Sequence, residues 1–407
     1  MSGWTRRRFV GAVGSAATLA GAGPWPAAAL RSIRLRQAPQ SFDPRIEIDP
    51  AAFRRNLTEL ARLVQDRPIF GVIKNNAYGL GIETVGPLLD GLPQIAGLAV
   101  VKTDEAIRLR DAGVKKPVLV MGLVSESEAL ELARRDVRLA PFAPEAGEVL
   151  ARVAGLLGRP VPVHLYLDTG MNRLGMPYHR AAPWVKELAR RPEVRIEGTF
   201  MSFTEDQSFD PEQLQRFQDL TDGLRRDGVQ LGKLHAASSH GLFFRRDAYL
   251  DMVRPGLALY GAYPSGAAQL GLVRLTPAFR LRARVVDVQQ LRAGDSASYD
   301  RAYTASKPTW IAVIPCGHAD GYPRGATKGC QVLIGDRLYP VIAEVSASHT
   351  IVELGDEQTV QVGDEATLVG PDRPEIAPNA VAQRAGVSVY DVLMHLSALL
   401  PKRVVVS

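Results

Sequence analysis

The sequence predicts an α/β chain: a (β/α)8 TIM-type barrel over residues 45–272, followed by a mainly antiparallel β-domain over 273–407. Three observations predict it. Short apolar runs alternate with stretches of helical periodicity up to about residue 261, and strand–helix alternation repeated eight times is the pattern of a parallel barrel. From about 273 the texture becomes β-rich, with segments joined by turn residues. At 46% hydrophobic and 23% charged, the 407 residues are long and apolar enough for two full cores.

The first helix is predicted over 50–64, with Asp49 as N-cap and Pro50 in the first turn. Its apolar residues Phe53, Leu57, Leu60, Ala61 and Val64 follow helical spacing. The eight candidate strands are 68–74, 95–101, 117–122, 137–143, 162–168, 197–203, 233–237 and 256–261. The run 137–143 has the weakest turn signals. Helices are predicted over 177–191 and 210–226. In the second domain, 279–291, 309–316, 331–345 and 365–370 read as strands. Helical patterns return only at about 378–399, broken at Gly386.

Half of the net charge of +6 comes from Arg6, Arg7 and Arg8. No dense basic run follows, which argues against nucleic-acid binding. Cys316 and Cys330, the only cysteines, do not make a disulfide framework; they could pair in an oxidising compartment, but free thiols are the favoured reading. Residues 1–29 hold TRRRFVG, a weakly apolar stretch and PWPAAA. These read as the basic, apolar and cleavage regions of a signal peptide cut after Ala29. The arginines followed by Phe9 resemble a twin-arginine export signal, so a periplasmic or cell-envelope location is expected. The apolar segment is too short for a stable membrane span.

The chemistry centres on GVIKNNAYGLG (71–81). Lys74 ends a buried apolar run. An ammonium there is expensive to desolvate, but partial burial lowers its pKa and frees its lone pair for covalent work. The stretch resembles the pyridoxal-phosphate (PLP) site of the alanine racemase family, of PLP fold type III, whose pattern is roughly V-x-K-A-x-A-Y-G-H-G. Four further stretches match family motifs in order: HLYLDTGMNRLG (164–175), VRPGLALYG (253–261), SYDRAYTA (298–305) and HADGYPR (318–324). The resemblance covers about 45–405.

It implies PLP as cofactor, a free amino acid as substrate and no metal. Lys74 is the implied Schiff-base lysine, and Tyr78 and Ser239 phosphate contacts. Gly256 and Leu257 match backbone donors for the phosphate, and Arg254 the arginine facing the pyridine nitrogen. Arg173 matches the arginine that helps hold the substrate carboxylate and the catalytic tyrosine, here Tyr299. Racemisation needs one base on each face of a planar carbanion, and Lys74 and Tyr299 are those bases by resemblance. A tyrosine titrates near 10, so a cation must favour its phenolate, and Arg173 is the candidate. Because an arginine does not give up a proton, Arg254 keeps the ring uncharged, which limits side reactions such as transamination. In the family the tyrosine comes from the partner subunit, so a head-to-tail homodimer is expected.

Several positions depart from the pattern. Tyr166 stands where the family carries a carbamylated lysine, Ser202 replaces a histidine, and Ser238 replaces an asparagine. His318 replaces a tyrosine of the access channel. Ala347 and Ser348 replace a Met-Asp pair, whose methionine amide meets the substrate carboxylate. Ala398 stands for a C-terminal tyrosine. Two readings of these changes stay open. In the favoured one the pocket is widened for larger amino acids, as in the exported broad-specificity racemases, which SYDR (298–301) and LYGAYPSG (259–266) resemble. In the other the site is decaying toward a PLP-binding protein without turnover. A related PLP decarboxylase is a third possibility, although its Gly-rich loop and catalytic cysteine segment are not evident. Because a histidine side chain can carry charge near neutral pH, His318 is expected to compensate electrostatically for Ser202.

Overall fold

A computed structural model describes residues 41–405. The signal-peptide reading of residues 1–29 lies outside them. Asp49 caps the first helix, Pro50–Leu63, accepting from the Ala51 and Ala52 amides at 2.8 and 3.2 Å, and the helix buries Phe53, Leu57 and Leu60. Such a cap contributes about 1 kcal/mol.

Seven parallel strands follow in sequence order around the barrel: Ile69–Val72, Ile95–Val100, Val118–Val120, Val137–Leu139, Val161–Asp168, Val194–Phe200 and Lys233–His235. Every residue of Val161–Asp168 is buried, as expected of a parallel strand covered on both faces. The eighth staves differ from expectation. Residues 252–255 close the barrel, not 256–261. Met252 bridges to His235 and Val253 to Ile69, and the Phe70 and Val72 amides donate to the carbonyls of Val253 and Pro255. After Pro255 and Gly256 the chain turns into a 3-10 helix, Leu257–Tyr260. That run is apolar because it is buried against the first helix, where the Tyr260 ring meets Phe53 edge-on at 5.5 Å. A short buried turn and a short buried strand have the same apolar signature.

The second sheet has nine strands. From one edge they are Asp287–Leu291, Thr309–Ile314, Thr350–Gly355, Arg337–Ile342, Gln331–Ile334, Glu365–Val369, Phe279–Arg284, Arg45–Ile48 and Lys402–Val404. In Phe279–Arg284 buried Phe279, Leu281 and Ala283 alternate with more exposed arginines, the mark of a sheet wet on one face. The strand Arg45–Ile48 pairs antiparallel with Phe279–Arg284 and so lies in this sheet, although sequence reading begins the barrel at 45. The helices Pro378–Ala385 and Val389–Met394 are separated by Gly386 at φ +71°, and the second of them packs back on the barrel mouth. Cys316 and Cys330 are buried free thiols. Among the described residues no helix is long and apolar enough to cross a membrane.

Candidate active site

Lys74 follows the strand Ile69–Val72 at the C-terminal end of the barrel, where (β/α)8 barrels carry their sites. The next four residues, Asn75 to Tyr78, all have φ near +53°, a left-handed turn. Each such residue costs roughly 1–2 kcal/mol unless something holds it. The buried Glu105 carboxylate does so: it accepts from the Asn76 amide at 3.0 Å and from the Val101 and Lys102 amides at 3.3 Å. The Asn76 side chain in turn accepts from the Ile82 amide at 3.1 Å and from Arg108 at 2.9 Å. Sequence reasoning missed Glu105, whose role depends on a contact 29 residues away.

The turn aims Lys74 into a cavity of about 650 Å³ at the barrel mouth, which Tyr78, Arg173, Ser239, Arg254, Gly256 and Leu257 also line. Burial, and then the charge of Arg173, lowers the Lys74 pKa, while Glu205 and Glu105 oppose the shift. Tyr78 is buried and stacks on Tyr260 at 4.6 Å. A Cβ on Gly256 would lie 2.2 Å from the Tyr78 hydroxyl, so only glycine lets that hydroxyl reach the 255–257 turn. Ser239 Oγ accepts from the Gly256 and Ala258 amides at 3.0 and 3.1 Å, so the Gly256 amide is engaged within the chain.

Arg254 is buried across the cavity floor. Its two terminal nitrogens donate to His235 Nδ1 (2.7 Å) and to the carbonyls of His235 (2.8 Å), Met201 (2.7 Å) and Ala236 (3.4 Å). Its Nε–H makes no hydrogen bond among the described residues. Burial lowers the Arg254 guanidinium to about 10, which leaves it a cation at neutral pH. Because arginine can only donate, His235 Nδ1 must accept, so the proton of neutral His235 sits on Nε2. That Nε2 lies 2.9 Å from His164 Nδ1 and donates to it. Burial holds both imidazoles neutral: His235 far below its usual range, His164 at about 4. Gly198 makes room for the second ring, since a Cβ there would lie 2.6 Å from His164 Nδ1.

Phe200 is the platform for this floor. Arg254 packs over its ring at 4.9 Å, and Tyr166 and His235 stack on it at 4.3 and 5.0 Å. The Tyr166 hydroxyl meets Ser202 Oγ at 2.9 Å. Ser202 therefore finds its partner within its own chain, and His318 does not line this cavity. Ser238, which also lines it, has a buried hydroxyl with no hydrogen-bond partner.

Three candidates lie elsewhere. Tyr299, His318 and Ala347 cluster at one end of the β-domain. The His318 and Ala319 amides donate to the Ser346 and Ala347 carbonyls at 3.0 Å, and Ser298 Oγ donates to the Glu344 carbonyl at 3.3 Å. Tyr299 is 68% exposed on a loop where Ser298, Asp300 and Arg301 all have positive φ. Ala398 is exposed and does not line the cavity; Tyr390 and Met394 supply that wall instead. No sequence signal pointed to Tyr390.

This geometry has counterparts. Residues 48–264 match the alanine racemase N-terminal domain family and 278–404 the alanine racemase C-terminal domain family. The alanine racemase of Symbiobacterium thermophilum is 35% identical over 362 residues, 88% of this chain and 95% of that protein. The chain belongs to the alanine racemase family. The structure of the biosynthetic alanine racemase from Pseudomonas aeruginosa superposes with a TM-score of 0.80 at 30% identity, covering 89% of this chain and 99% of that one. Alanine racemase from Bacillus anthracis, solved with bound L-Ala-P, gives 0.79 at 30% identity, covering 90% and 95%. The family is PLP-dependent, so this racemase-family chain is an amino-acid isomerase that uses PLP.

The residues present fit that cofactor. Lys74 has a lowered pKa and an open cavity before it. The unpartnered Ser238 hydroxyl and the Tyr78 hydroxyl against Gly256 supply donors for a phosphate. The one uncommitted N–H of Arg254 is suited to a pyridine nitrogen. When bound, the cofactor supplies an electron sink that makes the Cα proton of an attached amino acid acidic.

Proposed function

We propose that this protein interconverts L- and D-amino acids in a two-base mechanism, with Lys74 and Tyr299 exchanging the Cα proton on opposite faces. Arg173 holds the substrate carboxylate, Ser238, Ser239 and Tyr78 hold the phosphate end of the cofactor, and Arg254 holds its ring. The reading rests on one observation: the candidate residues fall into two groups, Lys74 recessed at the barrel mouth and Tyr299 exposed at the end of the β-domain. A head-to-tail homodimer would complete each site with the partner's loop. Such a two-fold contact is isologous, so what one copy lends to the other it receives in return.

The experiment is a hybrid dimer. Lys74→Ala and Tyr299→Phe chains are each expected to be inactive in racemisation. Mixed, unfolded and refolded together, half of the random dimers are hybrids with one intact site of two, so about a quarter of wild-type activity returns. No recovery, with dimers present, rejects shared sites. Export belongs to the same proposal and rests on TRRRFVG and PWPAAA in residues 1–29. Retention of the protein in the cytoplasm of an export-competent host would reject it.

A further inference from the structure

Two opposite charges line the cavity without meeting. Arg173 and Glu205 both face it, and neither makes an ion pair or hydrogen bond among the described residues. Glu205 is an exposed acid on a rim whose backbone is fixed. It follows Thr204, whose amide and hydroxyl donate to Gln213 Oε1 at 2.8 and 3.1 Å. Gln213 is buried and donates back to the Ser202 carbonyl at 3.3 Å. The rim of residues 202–205 is thus tied down on both sides, with Glu205 held at φ +65°. Its charge is felt at Lys74, Tyr78 and Tyr390, three residues that line this cavity.

A substrate attached through its amine keeps two ends. The carboxylate belongs with Arg173. For alanine the other end is a methyl group, and Glu205 gains nothing from it. We infer that Glu205 is a specificity residue that receives the cationic side chain of a dibasic amino acid, such as lysine or ornithine. The inference rests on the racemase reading above and names its substrate class. Wall residues Tyr390 and Met394 suit the aliphatic stem, since long cationic side chains lay their methylenes on apolar surface and keep the charge at a polar tip.

The test compares L-lysine with L-norleucine, its neutral analogue without the ammonium, on the PLP-loaded full chain. In the wild type kcat/KM for lysine is expected to exceed that for norleucine by about fivefold, mostly through KM, as an accessible ion pair allows. Added salt should erode the lysine advantage and leave norleucine alone. Glu205→Gln should bring the ratio to about one, and Glu205→Lys should move the preference to glutamate. An unchanged ratio in Glu205→Gln overturns the inference. So does an equal loss for both substrates, which would assign Glu205 to the cofactor or to a partner's arginine. If no amino acid in a panel that includes alanine is racemised, the racemase reading fails and takes this inference with it. If alanine turns over and lysine does not, only the inference fails.

Discussion

The hydroxyls of Tyr166 and Ser202 meet at 2.9 Å on the cavity floor. Both residues are departures from the family pattern, and in this chain the two neutral side chains partner each other. The Tyr166 ring lies flat on Phe200, which also carries Arg254, so its orientation bears on the arginine that would hold the cofactor.

That pairing predicts strong coupling. Tyr166→Phe and Ser202→Ala should each lower kcat/KM about fivefold, since each leaves a part-buried hydroxyl without its partner. The double variant should be no worse than either single one. A double-mutant cycle measured on racemisation checks this, and additive losses would show that the two hydroxyls act separately.

The pair His164–His235 predicts acid sensitivity. Both imidazoles are held neutral in the folded protein, His164 down to about 4, whereas unfolded histidines titrate near 6.5. Below 6.5 the unfolded chain therefore binds protons that the folded chain refuses. The stabilisation is complete above pH 6.5 and is lost as pH falls toward 4, on the order of 3 kcal/mol for His164 alone. Urea midpoints of the wild type should fall over that window. In His164→Asn the slope should be shallower, although the variant starts lower because His235 Nε2–H loses its acceptor.

The Ser238 hydroxyl is buried without a partner, so folding gains nothing from it. Ser238→Ala should leave the cofactor-free protein as stable or slightly more stable by thermal melting. If this hydroxyl donates to the phosphate, the same change should weaken PLP binding about tenfold, the size of one hydrogen bond to a charged group. Titration of the cofactor-free protein with PLP separates the two effects.

What the sequence made legible follows from local conflict and local pattern. Lys74 stood out because an amine at the end of a buried strand contradicts packing. Asp49 and Pro50 marked a helix start by capping chemistry alone. The barrel was readable because its strands alternate with helices in chain order, and its closing residues 252–255 were not, because Pro255 and Gly256 hide a short strand beside a more apolar turn. Contacts between distant segments left no such trace. Residues 45–48 fall inside the predicted barrel segment with no strand assigned to them, and only their pairing with Phe279–Arg284 places them in the second sheet. Tyr390 reaches the cavity only because a Cβ at Gly79 would meet the Leu393 carbonyl at 2.6 Å, so glycine there lets the last helix lie against the turn after Lys74. Ser202 gave no hint of Tyr166, 36 residues earlier on a neighbouring strand.

The lowered pKa of Lys74 predicts how cofactor capture depends on pH. Burial is the larger cause and the Arg173 charge the next, against the opposing pull of Glu205 and Glu105. Arg173→Gln removes a charge that lowers the pKa, so more of the amine is protonated at a given pH. Only the neutral amine attacks the cofactor's carbonyl carbon, so the rate of PLP capture by cofactor-free protein should fall at neutral pH, and its pH profile should move to the alkaline side. Glu205→Gln removes a charge that raises the pKa and should move the same profile toward acid. The rates are followed by the absorbance of the captured cofactor, which separates this effect from any loss of substrate binding at Arg173. Opposite shifts in the two variants would place both charges within electrostatic reach of one amine. Shifts in the same direction would mean that burial alone sets its reactivity and that the variants act by rearranging the cavity.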